Sequence, residues 1–162
     1  MTLYEDEIRH LDGKSGIYGW IDKPTFAVII PFAGESVTLI NQHRYPVGKR
    51  FWEFPMGAVE GANLSPQEIA IQELREETGW RAGKMTDLGH LYIAYGITNQ
   101  DFHVWLAEDL VAGAEEREAE EQGLITGQFS VAEIKAMVRK GEIVDSATVS
   151  ALYLWDQHSG LH

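Results

Sequence analysis

The chain has 162 residues, carries 25 Asp and Glu against 13 Lys and Arg for a formal charge of −12, and contains no cysteine. That length suits a single compact domain, residues 1–162, able to bury a core without disulfides or structural metal. The missing cysteines exclude zinc-thiolate sites and thiol nucleophiles. The acidic balance argues against binding bare nucleic acid, which rests on basic side chains neutralising phosphates. No apolar run approaches the roughly 18 residues of a membrane span, and the first residues, from Met1 to Glu7, are acidic and lack a signal-peptide core. A soluble cytoplasmic protein with no membrane partner is the expectation.

In chain order, residues 3–21 alternate apolar and polar side chains, with Tyr4, Ile8, Leu11, Ile17, Tyr18 and Trp20 among them. The segment is too short for a core of its own. It either folds back as edge strands or is covered by a second copy of the chain, and a homodimer is the favoured expectation. Residues 25–32 and 36–42 form two apolar, β-branched runs around a glycine-containing turn, which predicts two strands joined by that turn. Residues 53–61 follow as a Gly/Pro-punctuated loop. Residues 65–78 then predict a helix marked at both ends: Ser65 as N-cap, Pro66 in the first turn, Glu68 closing a capping box, and Gly79 as left-handed C-cap.

Further strands are predicted near residues 88–94, 102–107 and 124–129, with an acidic polar stretch at 112–122. Ser130 and Glu133 form a second capping box, opening a helix that ends near Gly141. Asp145 or Ser146 starts a last helix that runs through Trp155. Strands flanking one helix, with two more helices closing the chain, predict an α/β (α+β) domain, an α/β/α sandwich on a mixed β-sheet.

The chemistry concentrates on the first helix. Glu73, Glu76 and Glu77 fall within about 100° of one another around it. Ala70, Ile71, Leu74 and Thr78 occupy an adjoining, less polar face on which the helix can pack. Like charges at this spacing cost about 0.2–0.5 kcal/mol per pair, and no lysine lies on that face to offset them. Such a triad is either a solvated acidic surface or a site for a hard divalent cation such as Mg²⁺ or Mn²⁺, which takes oxygen ligands. The loop just before it favours the second reading, because glycine there lets a ligand approach the backbone closely.

The stretch from Gly57 to Trp80 resembles the Nudix box: a glycine, then Glu73-Leu74-Arg75-Glu76-Glu77-Thr78-Gly79-Trp80 matching the C-terminal half of the pattern in full. Three departures stand beside the match. Gln72 replaces the usual Arg, the loop between Gly57 and Glu73 is one residue longer than the pattern, and the early Glu of the box falls at Asn63 or Leu64, with Glu60 nearby. The sequences from Gln42 to Pro46, Trp52 to Pro55, His103 to Leu110 and Gly141 to Ala147 are similar to the ADP-ribose and nucleoside-diphosphate-sugar pyrophosphatase branch. Together these likenesses extend from Tyr4 to Trp155.

What the resemblance implies is a Nudix-like fold and a metal-dependent hydrolase cleaving the diphosphate linkage of a nucleoside diphosphate derivative, ADP-ribose or a nucleotide sugar. Glu73, Glu76 and Glu77, with the Met56 carbonyl, would ligate Mg²⁺ or Mn²⁺. Glu76 and Glu77 would also be catalytic, together with Glu120 and Glu121, or Glu118, from the acidic loop. Arg44, Trp52, Glu53 and Tyr95 are candidates for substrate binding. Tyr95 departs from the ADP-ribose pattern and keeps open a dinucleoside polyphosphate or nucleoside triphosphate. Gln72 and the missing early Glu keep open a non-catalytic nucleotide sensor. The branch also implies a homodimer. His43, His90 and His103 show no helical pairing and are read as structural.

Overall fold

The computed structural model describes residues 1–58, 64–114 and 123–160. Within these, the elements are β1 (Thr2–Arg9), β2 (Ser15–Asp22), β3 (Phe26–Pro31), β4 (Val37–Arg44), β5 (Lys49–Glu53), β6 (Met56–Gly57), α1 (Pro66–Thr78), β7 (Trp80–Tyr92), β8 (Asp101–Ala112), β9 (Ile125–Phe129), α2 (Val131–Lys140) and α3 (Ser146–Ser159). They form a mixed sheet ordered β6-β3-β8-β7, an antiparallel sheet ordered β5-β4-β9, and the two-stranded β1-β2 hairpin.

The mixed sheet is covered on both faces, which explains why β3 is an unbroken apolar run. Phe26, Val28 and Ile30 join Phe102, Val104 and Leu106 of β8 in one core, packed with Ile134, Met137, Ala151, Leu152 and Trp155 from α2 and α3. Ala27 and Ile29 alternate to the opposite face, where Trp105 and Ala107 meet Ile69, Ala70 and Leu74 of α1. The expected α/β/α layering is present.

Several expectations are corrected. Beside the expected mixed sheet, β4, β5 and β9 form an antiparallel sheet of their own. Residues 49–53 and 56–57, expected to be a loop at least in part, form β5 and β6. β7 begins at Trp80 rather than near residue 88, because pairing with the long β8 extends it beyond its own apolar pattern. Ile71, placed by sequence on the packing face of α1, is 48% exposed, and Ile69 is buried in its stead. The N-terminal segment is a regular hairpin, held to the domain where Tyr18 donates its hydroxyl to the Gly96 carbonyl at 2.7 Å and Ile21 N–H to the Ile97 carbonyl at 2.9 Å.

Candidate active site

α1 starts as predicted: the Ser65 side chain accepts from Glu68 N–H, and the Glu68 carboxylate accepts from Ser65 N–H at 2.7 Å. Gly79 ends it at φ 73°, its N–H returning to the Arg75 carbonyl. These caps fix where the helix begins and therefore which way its glutamates face. Glu73 is only 7% exposed and Glu77 2%. Glu76 is partly covered, its side chain 14% exposed. Burial of that kind rules out a solvated acidic surface, since ionised groups leave water only when compensated.

The compensation comes partly from β6. Met56 donates its backbone N–H to Glu77 Oε2 at 2.9 Å. Gly57 lies directly under the Glu73 carboxylate, so close that a Cβ at this position would collide with it. A side chain at this position would force the Glu73 carboxylate to move. β6 is itself held by pairing with β3, Ala27 opposite Gly57 and Val28 opposite Met56. Gln72, the departure from the box, donates to Glu76 Oε1 at 3.0 Å, and Arg75 Nη2 lies 3.7 Å from the same oxygen. α1 thus carries two buried carboxylates against β6 and a third held by Gln72, and carboxylate oxygens are the ligand type that Mg²⁺ and Mn²⁺ take.

Beside this cluster opens a cavity of about 740 Å³, lined by Met56, Gly57 and Ala58, by Arg44, Glu53 and Lys23, by Phe26, Phe51, Val47 and Ile93, and by residues 144–146. Its size and mixed lining suit a small-molecule ligand. Arg44 and Glu53 form an ion pair across its wall. Arg44 Nη2 stands 2.7 Å from Glu53 Oε1, a charge contact without hydrogen-bond alignment, while Nε donates to Oε2 at 3.3 Å. Burial pushes the Glu53 carboxyl up from its ordinary value and the Asp145 charge adds to this, outweighing Arg44 and a hydrogen bond from Gln42. The next residue, Phe54, donates its N–H to Thr148 Oγ1 at 3.0 Å, locking this segment onto α3.

Of the sequence candidates, Glu77 meets Met56 and Glu73 meets the neighbouring Gly57, Glu76 is engaged by Gln72 and Arg75, and Arg44 and Glu53 face the adjoining cavity. Trp52 packs edge-on against Phe129, ring centroids 4.9 Å apart, outside the cavity lining. Tyr95 is 86% exposed and borders a different hollow beside the β1-β2 hairpin, with Tyr18 and Trp20. Glu118, Glu120 and Glu121 lie outside the described residues, as do Glu60 and Asn63. Lys23, Phe51 and Ile93 line the cavity without having been singled out. They come from distant strands or their ends, and no local motif marks them.

Residues 22–148 match the NUDIX domain family. The chain belongs to the Nudix family. A Bacillus subtilis ADP-ribose pyrophosphatase is 27% identical over 154 residues, covering 94% of this chain and 83% of that protein. A Mycobacterium tuberculosis ADP-ribose pyrophosphatase is 33% identical over 118 residues, covering 72% of this chain but only 57% of its own length. A solved crystal structure of an ADP compounds hydrolase superposes with a TM-score of 0.85, covering 98% of this chain and 87% of the other at 20% identity. The Nudix chain described here thus shares the fold of that hydrolase. No helix among its described residues is long and apolar enough to cross a membrane.

Proposed function

We propose that this Nudix chain hydrolyses the diphosphate linkage of a nucleoside diphosphate derivative, ADP-ribose or a nucleotide sugar, with Mg²⁺ or Mn²⁺ as cofactor. The observation that carries the reading is the burial of Glu73 and Glu77 against β6, beside a cavity that presents Arg44 and Lys23. Pyrophosphatases of ADP-ribose among its relatives support the substrate class.

Glu73, Glu76 and Glu77, with the Met56 carbonyl, would hold the metal. When bound, the metal neutralises phosphate charge and lowers the pKa of a coordinated water. Arg44, one edge of its guanidinium engaged by Glu53, is oriented to offer its remaining donors to a phosphate or ribose in the cavity. Glu53 acts here through Arg44. Phe26 and Phe51 supply apolar surface for a base. A carboxylate, from Glu118, Glu120 or Glu121 in the acidic loop or from the box, takes the proton of the attacking water. The water oxygen bonds to phosphorus, the anhydride P–O bond breaks, and two phosphate monoesters leave.

A panel of nucleoside diphosphate derivatives incubated with Mg²⁺ tests the reading. Phosphomonoesters are released, release stops with EDTA and returns with Mg²⁺ or Mn²⁺. Full turnover in metal-free buffer rejects the mechanism. Gln72, a neutral partner for Glu76 in place of the box Arg, favours a nucleotide sensor as the second reading. A sensor binds members of the panel without releasing product.

We also infer a cytoplasmic homodimer. The β1-β2 hairpin leaves Leu3, Tyr4, Ile17 and Tyr18 exposed, and two strands alone are marginal in water. A second copy covering these residues gains about 25 cal/mol per Å² of apolar surface, before association costs. Sedimentation decides between the 18.2 kDa chain and twice that mass.

A further inference from the structure

A second cluster of ligand-type side chains lies away from the box. His90, Asp101 and His103 each offer a donor atom, all within 4.8 Å of one another. His90 and His103 are direct partners across β7 and β8, with Asp101 two residues before His103 on the same face of β8. Their rings are tilted at 43°, centroids 4.8 Å apart.

The backbone is built to make this arrangement. β7 carries an irregularity between Asp87 and Gly89, where Asp87 faces Trp105 and Gly89 faces Val104, leaving Leu88 as the extra residue. Without it, Gly89 would oppose His103 and His90 would point to the other face. Bulges re-aim side chains in this manner. Gly89 adopts φ 139°, and its N–H is held by Asp87 Oδ1 at 2.9 Å.

The donors are also prepared. Asp101 Oδ1 accepts the Thr25 hydroxyl, which fixes the carboxylate, while Oδ2 meets His90 Nε2 at 2.7 Å. Such outer partners orient metal ligands. His103 Nδ1 is buried without a hydrogen-bond partner among the described residues. His90 remains 38% exposed at its side chain, leaving an entry from solvent.

We propose that His90, Asp101 and His103 form a second metal site, selective for a borderline ion of the Zn²⁺ class. Imidazole suits Zn²⁺, Ni²⁺ and Cu²⁺, whereas Mg²⁺ keeps to oxygen. Bonds near 2.1 Å set tetrahedral ligand atoms about 3.4 Å apart, so the 2.7 Å contact between His90 and Asp101 opens and the remaining separations, all within 4.8 Å, adjust as the exposed His90 rotates. Three protein ligands leave a fourth position open to water. The site shares a sheet face with the box: Gly57, Ala27, His103 and His90 lie in register across four strands. At about 4.8 Å per strand, His103 is about 10 Å from Gly57 at the backbone. The assignment is independent of the proposed hydrolase activity.

Calorimetric titration of the metal-stripped full chain with ZnCl₂, in excess MgCl₂ to occupy the carboxylate site, tests it. One Zn²⁺ binds per chain. His90→Gln and Asp101→Asn each weaken it at least tenfold, and Glu76→Gln leaves it unchanged. Absence of saturable binding, an unaltered affinity in His90→Gln, or a loss confined to Glu76→Gln overturns the site. If the variants misfold, ring NMR of the wild type decides: zinc shifts His90 and His103 among the 6 histidines. Shifts confined to other histidines reject the proposal.

Discussion

α1 and α2 begin and end alike. Each opens on a serine N-cap with a reciprocal Ser/Glu capping box, Ser65 with Glu68 and Ser130 with Glu133, and each closes on a left-handed glycine. They differ in what they bury. α2 turns Ile134 and Met137 into the core and keeps its charges outside. α1 buries Ile69, Ala70 and Leu74, but Glu73 and Glu77 with them. Identical local signals therefore fix where a helix lies and say nothing of what its inward face is for. Burying carboxylates costs a helix stability unless they are compensated, whereas burying isoleucine contributes stability.

The sharpest test of that contrast exchanges charge in one helix and volume in the other. Glu77→Gln keeps size and can still accept from Met56 N–H. It is expected to lower kcat by on the order of 100-fold or more, since even outer partners of metal ligands are worth 10–100-fold. Its melting temperature should match or exceed that of the wild type. Ile134→Ala should do the reverse, losing about 2–5 kcal/mol of stability through the cavity it leaves, with kcat per folded molecule retained. Denaturant unfolding and steady-state rates on both variants separate the two helices. Loss of activity in both, or in neither, erases the distinction.

Gly57→Ala probes the floor of the α1 site. The added methyl meets the Glu73 carboxylate, an overpacking expected to cost about 1–3 kcal/mol, and kcat falls because Glu73 is displaced. Normal turnover in this variant would show that the Glu73 position is immaterial.

The shared features should respond alike. Ser65→Ala and Ser130→Ala are each expected to cost about 1 kcal/mol, a drop of about 2–4 °C in Tm for a domain of this size. Calorimetric scans that find one cap far costlier than the other break the equivalence of the two helix starts.

The smallest effect concerns Glu53, a buried carboxylate outside either helix. Its folded-state pKa is raised, so the folded chain holds this proton more tightly than the unfolded chain. Its contribution to stability is full below the ordinary carboxyl pKa and is lost as pH rises through the raised folded value. Glu53→Gln, which cannot ionise, should match the wild type in acid and melt higher near neutrality. Melting curves from pH 4 to 8 that run parallel would show that Glu53 burial carries no such cost.

Much of this was legible in the chain itself. Both capping boxes, the αL glycines and the doubly buried β3 follow from signals a few residues long. The glutamate spacing on α1 likewise survives intact. Less legible were β5 and β6, whose pairing depends on partners far away in sequence, and Ile71, whose exposure depends on how α1 rolls against β3. Trp52 carried a real aromatic signal, yet Phe129 claimed it for packing.

By itself the sequence determined the helix limits, the apolar strands and the identity of the box carboxylates, because hydrogen bonds and periodicity within one segment decide these. Tertiary structure alone decided that Glu73 and Glu77 are buried, that Gly57 lies beneath a carboxylate, and that Arg44, Lys23 and Ile93 line one cavity. It also decided that one extra residue in β7 turns His90 toward His103 and Asp101. Strand register and helix roll are set by long-range packing, and no short stretch of chain contains the partner that fixes them.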